Sequence, residues 1–393
     1  AKDTFTVNAV GSNGTTTING GDGADTYSGT AANLSAATID GGAGDNVVNF
    51  TDTAVAGASL AYSDVDVNGM SNVHTLGWTS AIAGDLTVTL GGWANTLASG
   101  ISDNQLKISA TALASGAGAN DVTINAAQLT GSNSVEMDIK DTDANTSAVG
   151  DFVLTGSDNA DKITAEQATA SSDNTITVNG GKGNDTITVK TTNSQAGLIV
   201  VDAGDGDDTI TLKDATTDSG ATNNLITGGK GNDTIILDSE GANTDFTIVA
   251  GTTAALNGVD TITNFSQAGG DVFDAEAWNG SSDPFTAINA YTANRASATS
   301  VEDDVTTLVD ITGGQDITTA AGLDVALATG GEYANIDLAV SDKGLFVTAA
   351  SSDADETQHI FFGESDASGN ITTTKVATIV GDIDSWVNAN FSI

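Results

Sequence analysis

The chain has no cysteine, one proline, two methionines and two histidines among its 393 residues. Without cysteine there is neither a disulfide nor a thiolate metal site. His74 and His359 lie far apart, so zinc and other transition metals lack a donor set, and acid–base catalysis has little to work with. Basic residues are equally scarce: 11 Lys and Arg stand against 52 Asp and Glu, a formal charge of −41. A polyanion of this kind repels nucleic acid and anionic membrane surfaces, and no nucleic-acid partner is expected. No apolar run approaches the ~20 residues that span a bilayer, and no signal peptide opens the chain. Ala1 leads directly into the strand-like FTVN, so an amino-terminal portion is expected to precede it. The H-E-x-x-H, G-x-S-x-G and P-loop patterns are missing. Glu302, Asp303 and Asp304 read as a solvated turn rather than a glycosidase pair. No catalytic residue is expected.

What is present is glycine, 46 residues of it, with Asn, Asp, Thr, Ser, Ala and scattered Val, Ile and Leu. Small residues and turn formers around short β-branched runs favour many short strands joined by tight corners. Part of the acid is solvated surface. The rest recurs at fixed places in Gly-rich turns, where cation ligands belong.

Five segments align: GSDNADKIT from Gly156, GGKGNDTIT from Gly180, AGDGDDTIT from Ala203, GGKGNDTII from Gly228 and ALNGVDTIT from Ala255. Their sixth residues, Asp161, Asp185, Asp208, Asp233 and Asp260, follow one another at 24, 23, 25 and 27 residues. Each period carries two strand signals. After Asp185 comes TITVK, in which Ile187 and Val189 alternate with polar residues; a polar loop follows, and then Leu198–Val201. Two strands and two loops make one solenoid coil. Ile187, Val189, Ile210, Leu212, Ile235 and Leu237 should stack as interior ladders, because one coil cannot bury its own apolar face. Earlier in the chain GGDGADTYS from Gly20 repeats the motif, and GGAGDNVVN from Gly41 repeats it with Asn46 in place of Asp. Between about 51 and 150 strand signals continue at Leu86–Leu90, Leu106–Ser109, Val122–Asn125 and Val135–Ile139. Only GAGAND from Gly116 resembles the turn there, and solenoid and β-sandwich both remain open for this stretch. After 275 the Gly/Asp turns cease and strand runs recur at Leu345–Ala349, His359–Phe362 and Thr374–Val380.

The motif Gly-Gly-x-Gly-x-Asp-x-apolar-x suits a hard cation. Glycines let carbonyls turn toward one point, the Asp adds an anionic oxygen, and Ca²⁺ accepts six to eight oxygens in irregular geometry. These segments resemble the RTX (repeat-in-toxin) nonapeptide family of type I-secreted bacterial proteins. The match is nearly complete at Gly20, Gly180 and Gly228, has one change at Ala203, and is looser at Gly41, Gly156 and Ala255. The resemblance implies several Ca²⁺ ions bound between coils by the sixth-position side chains Asp25, Asp161, Asp185, Asp208, Asp233 and Asp260. Loop carbonyls at Gly20, Asp22, Gly41, Asp158, Gly180, Lys182, Ala203, Asp205, Gly228 and Lys230 would complete the sites. Asn46 keeps a neutral oxygen and marks a weaker one. With one motif per ~24-residue coil the ions should run in single file along one edge, a departure from the usual two-edged β-roll that resembles RTX-type surface-layer proteins.

The expected architecture is all-β: a β-rich region with sparse turns over 1–150, a calcium-binding parallel β-solenoid over 151–274, and a smaller β-rich domain over 275–393. The closing VATIVGDIDSWVNANFSI resembles an uncleaved type I export signal, which implies the type I secretion machinery as a partner and a secreted, cell-surface location. The expected role is a self-assembling structural subunit, a homo-oligomeric lattice or filament that is not membrane-spanning. An export tail of a larger secreted enzyme, toxin or adhesin is the alternative. An ice-binding ladder of Thr186/Thr188 and Thr209/Thr211 is interrupted by Lys190, Lys213 and Ile236.

Overall fold

The computed structural model describes residues 1–8, 16–54, 58–80, 82–113, 121–141, 150–167, 174–191, 198–213, 224–238, 246–249, 257–266, 271–274, 291–292, 299–300, 307–311, 317–328, 336–337, 343–349, 357–382 and 391–392. GAGAND from Gly116, apart from Asp121, and the acidic run at 302–304 lie outside these residues, as does 383–390 of the closing segment. The described residues form a parallel β-solenoid with a few short helices. They fall into two compact units, 1–205 with 212–222, and 206–211 with 223–393.

In the first unit the coils place their strands in two long sheets, joined in the early coils by a third, parallel sheet of Thr16–Asn19, Ala37–Asp40 and Met70–Ser71. One sheet runs Thr4–Val7, Thr26–Gly29, Val47–Phe50, Thr75–Trp78, Gln105–Leu113, Ser134–Asp141, Lys162–Gln167 and Thr186–Thr191, all parallel. The other runs Ser59–Tyr62, Asp85–Thr89, Val122–Asn125, Phe152–Thr155, Thr175–Lys182 and Leu198–Asp205. The stretch between 51 and 150 is therefore solenoid, not sandwich, and register continues unbroken past residue 150. Alternation decides which face is inside: Ile163 lies beside Ile187 and Ala165 beside Val189, and all four are buried. Burying each of the Ile and Val side chains stabilises the stack by ~1.5–3 kcal/mol.

Short helices replace turns in the early coils, at Ala31–Ser35, Asp64–Val67 and Gly92–Ser99. Trp93 sits in the last of these, a helix that forms despite opening on two glycines. The reason is a cap supplied from the preceding coil, where the Asp64 carboxylate accepts the N–H groups of Gly91, Trp93 and Ala94 at 2.9, 3.0 and 3.3 Å. Those amides have no partner within the helix.

In the second unit residues 209–211 pair in parallel with Thr234–Ile236 and the latter with Asp260–Ser266, as do Asn224–Lys230, Phe246–Val249 and Val272–Asp274. Ile210 lies beside Ile235 and Ile235 beside Ile262. The strand Ile371–Asp382 adds to Asp260–Ser266 in parallel, and Thr357–Ser365 and Lys343–Ala349 then continue the same sheet antiparallel. The eight-residue helix Ala320–Leu327 packs Leu323 and Leu327 against Phe346 and Phe361.

Candidate metal centre

Every sixth-position side chain is buried: Asp25, Asn46, Asp161, Asp185, Asp208, Asp233 and Asp260 are each at most 4% exposed. The cause is a ladder between coils. Oδ1 of Asp25 accepts the backbone N–H of Asp3 at 2.7 Å, Asn46 Oδ1 accepts that of Asp25 at 2.9 Å, and His74 Nδ1 accepts that of Asn46 at 3.2 Å. Further along, Asp161 Oδ1 accepts from Val135 and Asp185 Oδ1 from Asp161, both at 2.7 Å. In the second unit Asp233 Oδ1 accepts from Asp208 at 2.8 Å and Asp260 Oδ1 from Asp233 at 3.0 Å. At each of these turns one side-chain acceptor is thus committed to tying its coil back to the coil before.

The other oxygen distinguishes the turns. Oδ2 of Asp25 and of Asp233 is buried and has no hydrogen-bond partner. A methyl group built on Gly20 would collide with Asp25 Oδ2 and stand 2.6 Å from the Gly41 carbonyl; one on Gly228 would collide with Asp233 Oδ2. An unpaired buried carboxylate oxygen, with a carbonyl close by at the Asp25 turn, is costly unless a cation meets it. These residues therefore fit a hard, oxygen-seeking ion. Tyr27 places a buried hydroxyl, also without a hydrogen-bond partner, against Gly20. Its pKa is pushed up to about 12 by burial and then by Asp25, Asp40 and Asp3, so it is a neutral oxygen. Sequence reasoning passed over it; the signal was an aromatic at the position where the other repeats carry Ile187, Ile210 and Ile235.

The first glycine of the motif is selected by contact with the carboxylate. The second and fourth adopt left-handed backbone, as at Gly181 (φ +110°) and Gly183 (φ +101°). Third-position side chains point away: Asp22, Asp158, Lys182 and Lys230 are exposed and Asp205 half-buried. The Lys182 ammonium pairs with Asp158 at 2.6 Å. Only backbone oxygens remain for an ion at these positions. Of those, the carbonyl of Asp205 also accepts from Gly183 and that of Lys230 from Gly206, both at 2.7 Å. Among the described residues no three His, Cys, Asp or Glu side chains converge on one point, so carbonyls must supply most of the ligands.

Burial raises three of these sixth-position carboxyls. Asp161 rises to about 6 by desolvation, and Asp233 to about 7 by desolvation with Asp208 and Asp207 adding repulsion. Asp260 rises to about 8 by desolvation, with Asp233 adding to it.

A family model described as the RTX calcium-binding nonapeptide repeat matches this chain in four copies, over 9–33, 177–188 and 218–239. The chain carries RTX calcium-binding repeats. Those spans contain the turns opening at Gly20, Gly180 and Gly228, the same turns that meet the RTX consensus most fully. No curated protein and no solved structure was found to match. RTX repeats bind calcium and are typical of secreted proteins. Among the described residues no helix is long and apolar enough to cross a membrane.

Proposed function

We propose that the chain is a calcium-dependent structural protein of the bacterial cell surface, a subunit of a surface layer or extracellular filament that folds and self-assembles on binding extracellular Ca²⁺. The observation that carries the calcium part is the buried, unbonded Oδ2 of Asp25 and of Asp233 beside the repeat's glycine face. Ions at the turns opening at Gly20, Gly180, Ala203 and Gly228 would neutralise carboxylates in a chain of net charge −41, which otherwise opposes its own compaction. Extracellular modules bind Ca²⁺ with Kd near 10⁻⁴–10⁻³ M. At tenfold excess each site adds ~1.4 kcal/mol to folding, and four sites together approach the whole stability of an ordinary domain. The chain then stays loosely ordered in a low-calcium cytoplasm and folds after export by type I machinery, with a scaffolding rather than a catalytic role.

Circular dichroism during calcium titration of the chelator-stripped chain tests the folding claim: β-structure should appear with calcium, and a spectrum indifferent to chelator refutes it. Negative-stain microscopy tests assembly. Sheets or fibres that vanish on chelation support it, whereas monodisperse monomers in millimolar calcium favour the reading as an export tail.

A further inference from the structure

The three turns that match the consensus most loosely, at Gly41, Gly156 and Ala255, each fill the place beside the sixth residue with a protein hydrogen-bond donor. At Gly41 the sixth residue is Asn46. Its Oδ1 keeps the ladder bond to Asp25, which fixes the orientation of the amide, and its Nδ2 donates to the carbonyls of Asn72 (2.9 Å), Gly44 (3.0 Å) and Gly42 (3.4 Å). Three carbonyl oxygens directed at one point are what a cation would need; here they receive N–H protons instead. At Ala255 the third residue is Asn257, fully buried. Its Nδ2 donates 2.8 Å to Asp260 Oδ2 and 3.2 Å to the carbonyl of Val376. At Gly156 the second residue is Ser157. Its backbone N–H donates to Asp161 Oδ2, and its hydroxyl donates to Asp161 Oδ1 at 3.0 Å. The contrast is with Asp25 and Asp233 in consensus turns, whose Oδ2 atoms accept no hydrogen bond.

We propose that Asn46, Ser157 and Asn257 seal their turns in place of calcium, so that within each unit ion-dependent joints stand beside joints closed by the protein alone. The proposal rests on the calcium reading given above and specifies it. Substitution of a single residue decides whether a turn takes an ion. Asn46 is thus no weak ligand: its neutral oxygen is spent on Asp25 N–H, and its nitrogen faces the carbonyls. The sealed turns hold adjacent coils together before any ion arrives, Asn46 between its own turn and Asn72, and Asn257 between the turn at Asp260 and the strand Ile371–Asp382.

Calcium stoichiometry of the full chain, measured by calorimetric titration with calcium chloride after chelator stripping, tests this. Asn46→Asp should bind one ion more per chain than the unsubstituted protein, because it replaces a donor by a charged acceptor among three carbonyls. Asp25→Asn should bind one ion fewer and retain its ladder bond. Unchanged stoichiometry in a folded Asn46→Asp chain overturns the proposal. If that variant fails to fold in calcium, an unchanged count in Asp25→Asn overturns it equally. Failure of the unsubstituted chain to bind any calcium is a different result: it removes the calcium reading itself and this inference with it.

Discussion

The backbone N–H of Asp161 donates 2.7 Å to Oδ1 of Asp185, one coil later, while the carbonyl of Asp161 accepts from Thr186 at 2.9 Å. A residue at the sixth position is therefore tied to the following coil by both of its backbone groups, and its side chain ties back to the coil before. This hydrogen-bonded part of the joint needs no ion; the calcium proposed above adds an ionic part to it. Substitution separates them. In chelator, Asp185→Asn should keep an acceptor for Asp161 and Asp185→Ala should not, leaving a buried N–H unpaired at a cost of about 1–3 kcal/mol. Urea denaturation of the two variants, with and without calcium, measures both parts. Equal stability of Asn and Ala variants in chelator would show that the ladder bond contributes nothing.

The raised carboxyls set a pH dependence. A group whose folded pKa lies above its unfolded value stabilises the fold only while protonated, so Asp161, Asp233 and Asp260 withdraw stability as pH rises through about 6, 7 and 8. Asp40, held below the usual carboxylate range chiefly by the Asn72 amide, has the opposite sign, but its contribution is complete above about pH 5. In chelator the melting temperature should fall from pH 5 to pH 8, each titrating group steepening the fall by up to ~1.4 kcal/mol per pH unit. Saturating calcium should make the decline shallower, because the ion replaces the proton on Asp233. A calcium-free melting curve that rises over this range contradicts the burial of these groups.

Glycines with left-handed backbone divide into two kinds. Gly183 (φ +101°) would carry a methyl 2.5 Å from the backbone N of Ala160, whereas a methyl on Gly131 (φ +75°) meets open space. Gly131→Ala should cost about 1 kcal/mol, the backbone term alone. Gly183→Ala should cost on the order of 3 kcal/mol or more, since the backbone of the preceding coil has no rotamer by which to yield. Thermal melts in calcium check the difference.

The interior ladder offers a calcium-independent control. Ile187 is fully buried, whereas Val153, also on a strand, is 39% exposed. Ile187→Ala should destabilise by about 2–5 kcal/mol with or without the ion, and Val153→Ala by no more than ~0.5 kcal/mol. Chemical denaturation gives both values.

The repeat was plain in the residues themselves. Asp-Thr-Ile at a near-constant spacing placed the sixth-position carboxylates on one edge, and alternation put Ile187, Val189, Ile210, Leu212, Ile235 and Leu237 inside, where all six are found. The coils between 51 and 150 were harder to read because their identity lies in pairing, such as Leu86 beside Val122 and Val122 beside Phe152, not in a turn motif. The helix at Gly92 was hidden because its cap, Asp64, belongs to another coil. The roles of Asn257 and Asn46 could not be read locally either: Asn257 meets the carbonyl of Val376, 119 residues away, and which end of an amide meets carbonyls is decided by the neighbouring coil.

Lys162–Gln167 and Thr186–Thr191 occupy matching rungs 24 residues apart. Excising residues 162–185 would join Asp161 to Thr186 and offer each neighbour an edge of the same register. In such a chain, length is an adjustable quantity. Gain or loss of one whole period would change the number of coils by one and create a single new junction, while the strand register of the remaining coils is kept.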